Sequence, residues 1–314
     1  MSRSSMSASA RAGLIAIAAA GILWGTTGVV VQLIRQSADL SPVSIGCYRL
    51  AVAALALSLF LARQLRPAVR ALRSRRLPLL LIGAGLGAYQ ALYFAAVAWG
   101  GVAIATVVSL GLAPVLITGW EAARSRRRPA RAALGSITAA VLGLALITGS
   151  PLAPAGAAPR PLLGLLAALG SGLGYAATTV LSREVTRHVK PLPMTAATTA
   201  IGALTLLPFA LLGGGFRLPV LSAAAGMLAY LGVATTAVAY ALLYTGLRTT
   251  KGSVAVVLTL LEPLTATVLA VGVLGEKISL PVVTGGALLL VAVVLAALPQ
   301  GQTGERPLAE SVAG

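Results

Sequence analysis

Acidic residues are the scarcest chemistry in this chain: seven Asp and Glu among 314 residues, beside one His and one Cys. A single Cys allows no intramolecular disulfide, so cysteine usage is silent on redox compartment. Enzyme chemistry needs paired carboxylates, a Ser/His set or a metal cluster, and this inventory supplies none of them. No catalytic, metal or cofactor site is expected. Charge of any sign is sparse as well, at 10% of residues, where soluble domains carry about a quarter. What fills the space is apolar: 58% of residues are hydrophobic and the mean hydropathy is +0.93.

That composition belongs in lipid. Crossing a hydrocarbon core of about 30 Å takes about 20 helical residues. Runs of suitable length stand at 13–34, 42–62, 77–98, 101–120, 132–149, 162–181, 192–212, 220–246, 252–273 and 279–298. The short join at Gly100–Gly101 requires an antiparallel hairpin. A β-barrel needs alternating polarity, whereas stretches such as Ala51–Phe60 are apolar on every side. The first run is long and lacks a convincing cleavage site before the next, so it reads as a membrane helix rather than a signal peptide.

The chain is also a duplication. Shifted by 149 positions, Gly21 falls on Gly170, Gly25 on Gly174, Pro42 on Pro191, Phe60 on Phe209, Gly83 on Gly232 and Pro114 on Pro263. Five spans per copy is an odd number, and an odd number inverts the second copy in the bilayer. The expected fold is an all-α integral membrane protein of ten transmembrane helices in two inverted five-helix repeats. Its expected divisions are 1–150, a Pro/Ala linker at 151–161, a second repeat at 162–299 and a polar tail at 300–314.

A net charge of +17 would suggest nucleic acid in a soluble protein. Its distribution argues for membrane topology instead. With a cytoplasmic N-terminus, nineteen Lys and Arg fall inside and four outside (Arg35, Arg160, Arg217 and Lys277), while Arg49 lies within a span. Positive charge is retained on the cytoplasmic side, so both termini are expected in the cytoplasm and the protein in the plasma (inner) membrane. His188, beside Arg187 in a loop, reads as a solvated surface residue.

Few residues inside the spans carry chemistry. Glu262 is the only acid deep in the apolar region, in Leu260-Leu261-Glu262-Pro263. An ionised carboxylate there costs at least about 2.5–3.5 kcal/mol, so it must be protonated, paired or facing water. Proton or substrate handling is one role; a protonated glutamate satisfying carbonyls freed by Pro263 is the other. Arg49 is the only base within a span and needs a partner or a wet path. Snorkelling, a structural pair or an anionic substrate group would each supply one.

Tyr89 and Tyr93, and likewise Tyr240 and Tyr244, are i,i+4 pairs that each line one helix face. With Trp24, Gln90 and Tyr175 they put polar groups at mid-depth, where each must find a partner or a cavity. Trp99 and Trp120 read as belt anchors. Pro114 and Pro263, equivalent under the repeat, are expected to bend the fourth and ninth spans, where inverted-repeat carriers place their substrate sites. Glycines three or four apart, including Gly21, Gly25 and Gly28, read as helix contacts.

At these residues the sequence resembles the ten-helix EamA-type branch of the drug/metabolite transporter superfamily. The likeness covers nearly the whole chain: Trp24-Gly25, Pro42 with Arg49, Pro114, then Leu261-Glu262-Pro263-Leu264 and Leu274-Gly275-Glu276-Lys277. The first copy departs from the pattern, with Ser125-Arg126-Arg127-Arg128 where a Leu-Gly-Glu-like end is expected. The resemblance implies a small-solute carrier, an exporter of amino acids, other metabolites or drugs, with a central cavity between the copies. The expected function is secondary transport by alternating access. Its partners are a small-molecule substrate, the lipid bilayer and, through Glu262, protons, with no nucleic acid. An uncoupled facilitator or channel is the alternative.

Overall fold

The computed structural model describes residues 8–38, 40–62, 75–126, 128–148, 160–212, 223–274 and 279–297, and every regular element among them is helical. The second to fifth spans are Pro42–Phe60, Arg76–Gly100, Val102–Ser125 and Arg131–Thr148. The sixth, seventh and tenth are Pro161–Val185, Pro191–Leu212 and Leu280–Ala297. Among the described residues, nine spans are long and apolar enough to cross a membrane, and the fifth is a shorter apolar helix. Their outward faces carry Leu55, Leu59, Leu165, Leu173, Leu204 and Val294. Helices apolar on every side suit lipid.

Local chemistry sets the ends. Ser41 caps the second span by accepting from the Ser44 N–H at 3.1 Å, with Pro42 in the first turn where its missing donor costs nothing. Gly101, at φ +85°, makes the expected hairpin between the third and fourth spans, a conformation open to glycine because it has no Cβ. Pro161, assigned above to the linker, opens the sixth helix instead. The rest of the linker except Arg160, and the tail, lie outside the described residues.

Three spans depart from the expectation of continuous helices. The first is split at Thr26 into Ala8–Gly25 and Thr27–Ser37. The eighth consists of Ala223–Gly232, a π-helical turn Val233–Val238 and Ala239–Leu247. The ninth breaks at Thr259–Leu260, between Gly252–Leu258 and Leu261–Leu274. The expected bends at the two prolines are therefore unequal. Pro114 lies buried inside a continuous helix, whereas Pro263 sits in the first turn after an interruption.

The inversion of the copies is visible in which residues touch. Ser136 donates to the Ala292 carbonyl at 2.8 Å, and one end further along Gly143 meets Gly285. The fifth and tenth spans, equivalent under the repeat, thus run antiparallel. So do the second and seventh, where Gly46 meets Leu206 and Ala53 and Leu57 cluster with Ala196. The symmetry holds in detail: a Cβ on Gly83 would meet Ile201 and the Thr198 carbonyl, and one on Gly232 would meet Val52 and the Arg49 carbonyl. Each pair in the second copy is the first shifted by 149 and reversed.

The copies interleave rather than standing as two separate bundles. The third and fourth spans of the first copy pack against the sixth, and the eighth and ninth pack against the first. Small residues make these contacts close, as expected where lipid offers no hydrophobic drive. Gly100 abuts Gly164, Gly172 abuts the Ser109 carbonyl, and Gly21 abuts that of Leu258. Gly28, expected above as a helix contact, has nothing within 4 Å.

Candidate functional site

The two breaks lie on adjacent helices, between one and two helical turns apart. Gly21 packs on Leu258, Thr259 and Leu261, and Gly25 on Glu262 and Thr265, so the first and ninth spans run parallel and lose helical continuity at neighbouring depths. Their repeat equivalents, the sixth and fourth spans, are unbroken. A broken helix presents main-chain groups and half-helix ends in mid-membrane, tolerated only inside protein or against a wet cavity.

Around this point stand the aromatic residues. Trp24 is buried with its ring edge-on to Tyr240 at 5.1 Å, and Tyr240 in turn lies 6.0 Å from Tyr244. Tyr89 lies 5.5 Å from Tyr175. The Tyr89 and Tyr240 hydroxyls bond each other at 2.9 Å, joining the two copies. Tyr175 bonds Thr259 at 3.0 Å and Tyr244 bonds Thr198 at 3.3 Å. Both threonines donate to carbonyls of their own helices, Val256 and Met194 respectively, which leaves the threonine oxygens to accept from the tyrosines. Tyr93 turns aside, bonding Thr106 at 3.1 Å.

Tyr89, Tyr175, Tyr240 and Tyr244 line one cavity together with Thr178, Thr179, Ser182, Ile82, Leu86 and Leu243. Its volume of about 10 Å³ is at the lower limit for a single water, so this conformation is closed around the site. Trp24 backs the cavity through Tyr240. Gln90, Tyr93, Pro114, Glu262 and Pro263 lie outside its lining.

The charged pair sits beside it. The Arg49 Nη2 donates to Gln90 Oε1 at 2.6 Å, and Gln90 is oriented by its own bond to the Leu86 carbonyl at 3.2 Å. Arg49 Nε is buried without a hydrogen-bond partner. Glu262 forms no salt bridge among the described residues, but its carboxylate is within electrostatic reach of Arg49 and of the Tyr93, Tyr175 and Tyr240 hydroxyls. One acid and one base thus face a shared tyrosine cluster without closing on each other.

Sequence reasoning missed the threonines and the π turn. Thr235 and Thr236 both donate to the Leu231 carbonyl at 2.8 Å, from four and five residues on. Hydroxyls bonding back in this way compete with the α-helical ladder, and π turns gather at functional sites. Tyr89 shifted by 149 would fall on Val238, the last residue of the π turn, while the tyrosine that meets it stands at 240. The only sequence signal for this was the buried Thr235-Thr236 doublet. Cys47 is buried, and His188 is exposed as expected. The Gly275-Glu276-Lys277 motif lies outside the described residues.

Comparison with known proteins agrees with this architecture. A solved crystal structure of a protein 22% identical in sequence superimposes with a TM-score of 0.73, over 90% of this chain and 96% of that one, which establishes likeness of fold. An uncharacterized transporter of Bacillus subtilis, YwfM, is 30% identical over 192 residues. The match spans 60% of this chain and 61% of that relative's length. An uncharacterized inner membrane transporter of Salmonella typhimurium, YicL, is 29% identical over 206 residues, 64% of this chain and 67% of the relative. The model of the EamA-like transporter family matches twice, at residues 11–149 and 162–298. With a family match across both copies of an all-helical, apolar fold, this chain belongs to the EamA-like transporter family.

Proposed function

We propose that the chain is a secondary transporter of the inner (plasma) membrane, with both termini in the cytoplasm, that exports small metabolites by alternating access and couples export to protons through Glu262. The observation that carries this reading is the paired break of the first and ninth spans, with Glu262 and Pro263 in the first turn beyond the second break and Arg49 in electrostatic reach. Half-helices at mid-depth are where inverted-repeat carriers bind substrate and ion. The tyrosine cavity next to them, closed at about 10 Å³, supports an occluded carrier over an open pore. Trp24, Tyr89, Gln90, Tyr93, Tyr175, Tyr240 and Tyr244 form the proposed substrate surroundings. Pro114 and Pro263 are the proposed shape determinants, and Arg49 is the charge partner.

The test is flux in proteoliposomes against a panel of amino acids, amines, carboxylates and drugs. A substrate should accumulate beyond equilibration under an imposed proton gradient, and Glu262→Gln should abolish that accumulation. Equilibration alone would identify the uncoupled facilitator. Gradient-driven uptake unchanged in Glu262→Gln would remove the carboxylate from coupling.

A further inference from the structure

The lining of the tyrosine cavity reaches Ser182, and next to that residue polar bonds fasten neighbouring helices to each other. Cavity-lining residues come from the third span (Tyr89), the sixth (Thr178, Thr179, Ser182) and the eighth (Tyr240, Tyr244). It therefore lies between two packed sets of helices, the third, fourth and sixth on one side and the first, eighth and ninth on the other. One residue beyond Ser182, Arg183 Nε donates to the Thr250 carbonyl at 2.9 Å. Glu121, at the end of the fourth span, accepts from the Gly252 N–H at 3.0 Å and the Ser253 N–H at 3.4 Å, and bonds the Ser253 hydroxyl. Both side chains belong to one set, and both hold the start of the ninth span in the other.

We infer that Glu121 and Arg183 are the gate of this face, a clasp whose release opens the tyrosine cavity toward the arginine-rich end. The inference rests on the transporter reading above. Four features single out the clasp. A carboxylate on the free N–H groups of a helix start makes charge-assisted bonds, stronger than the apolar contacts around them yet breakable when water enters. Gly252 is the close-approach residue: a Cβ there would meet Ile117 at 3.2 Å and Glu121 Oε1 at 3.5 Å.

The Thr250 hydroxyl is buried with no partner while the clasp is closed, an unfavourable state that separation relieves. Finally, the clasp residues have no polar equivalents in the repeat. The 149 shift carries Glu121 onto Ala270, Arg183 onto Ile34 and Ser253 onto Ile104. The residues of the clasp are thus not duplicated by the repeat.

Thiol labelling of the full chain tests this without a substrate. In a Cys47→Ala background, Ser182→Cys reports the cavity mouth, Lys190→Cys marks which vesicle side that mouth faces, and Leu206→Cys reports general loosening of the core. With a membrane-impermeant maleimide added on the side that labels Lys190→Cys, Glu121→Ala should speed labelling of Ser182→Cys about tenfold, the loss expected for hydrogen bonds to a charged group. Ser253→Ala, which keeps the backbone bonds, should speed it less, and Leu206→Cys should stay unlabelled. Unchanged labelling of Ser182→Cys overturns the inference. So does a rise matched at Leu206→Cys, which would make the clasp structural glue. Neither result bears on flux, so the transporter reading stands or falls separately.

Discussion

The main-chain carbonyl of Glu262 lies against Gly25, so close that a Cβ at position 25 would sit 2.6 Å from the oxygen and collide with the Thr265 side chain. One glycine in the first copy thereby fixes the depth of the acid in the second.

Gly25→Ala should therefore force the two broken spans apart, costing about 1–3 kcal/mol as overpacking does and reducing transport along with stability. Gly28→Ala, whose Cβ would meet nothing within 4 Å, should change stability by less than about 0.5 kcal/mol. Thermal denaturation in detergent of the two variants side by side checks the contrast.

The Tyr89 and Tyr240 hydroxyls depend on each other. Tyr89→Phe or Tyr240→Phe alone strands the other hydroxyl, whereas the double variant removes both. Each single change should cost about 1 kcal/mol. The double should cost less than their sum, with coupling of about 0.6 kcal/mol, typical of hydrogen bonds within membranes. A double-mutant cycle in thermal stability measures it.

For Arg49, the informative partner is Gln90. Gln90→Leu leaves a guanidinium without its 2.6 Å acceptor and should destabilise by about 1.5–3 kcal/mol, the range for hydrogen bonds to charged groups. Arg49→Leu combined with Gln90→Leu should recover part of that loss, because no unpaired charge remains. Failure of the double variant to recover stability would mean that Arg49 is satisfied by other groups.

At the far side, Gly143→Ala would place a Cβ 2.7 Å from the Gly285 carbonyl, and Gly285→Ala one 2.6 Å from that of Gly143. Each should lower stability by about 1–3 kcal/mol. Gly111→Ala, with its nearest neighbour Val141 at 3.6 Å, should be neutral. Unfolding of the three proteins in increasing denaturant tests the ranking.

Much of the site was legible in residue spacing, and the rest was not. Tyr89, Tyr175, Tyr240 and Tyr244 were readable as one set because hydroxyls at mid-depth must meet something. Their threonine partners were not, since a buried Thr bonded to its own helix looks like any other apolar-run threonine. Glu121 reads from sequence as a surface acid beside arginines. Its partners stand more than 130 positions away, and no local pattern announces them. Pro114 and Pro263 look equivalent in sequence, but one lies in a continuous helix and the other just after an interruption.

By itself the sequence determined the membrane solvent, the ten apolar runs, the duplication and its odd, inverting count, because those follow from sums over about twenty residues and from identities at a fixed shift. Only the tertiary structure decided that the copies interleave, that the first and ninth spans are both interrupted near Glu262, and that Glu121 and Arg183 bond the start of the ninth span. These outcomes depend on side chains of remote segments fitting within a few tenths of an ångström, as at Gly25 and Gly252, and such fit is a property of the packed molecule.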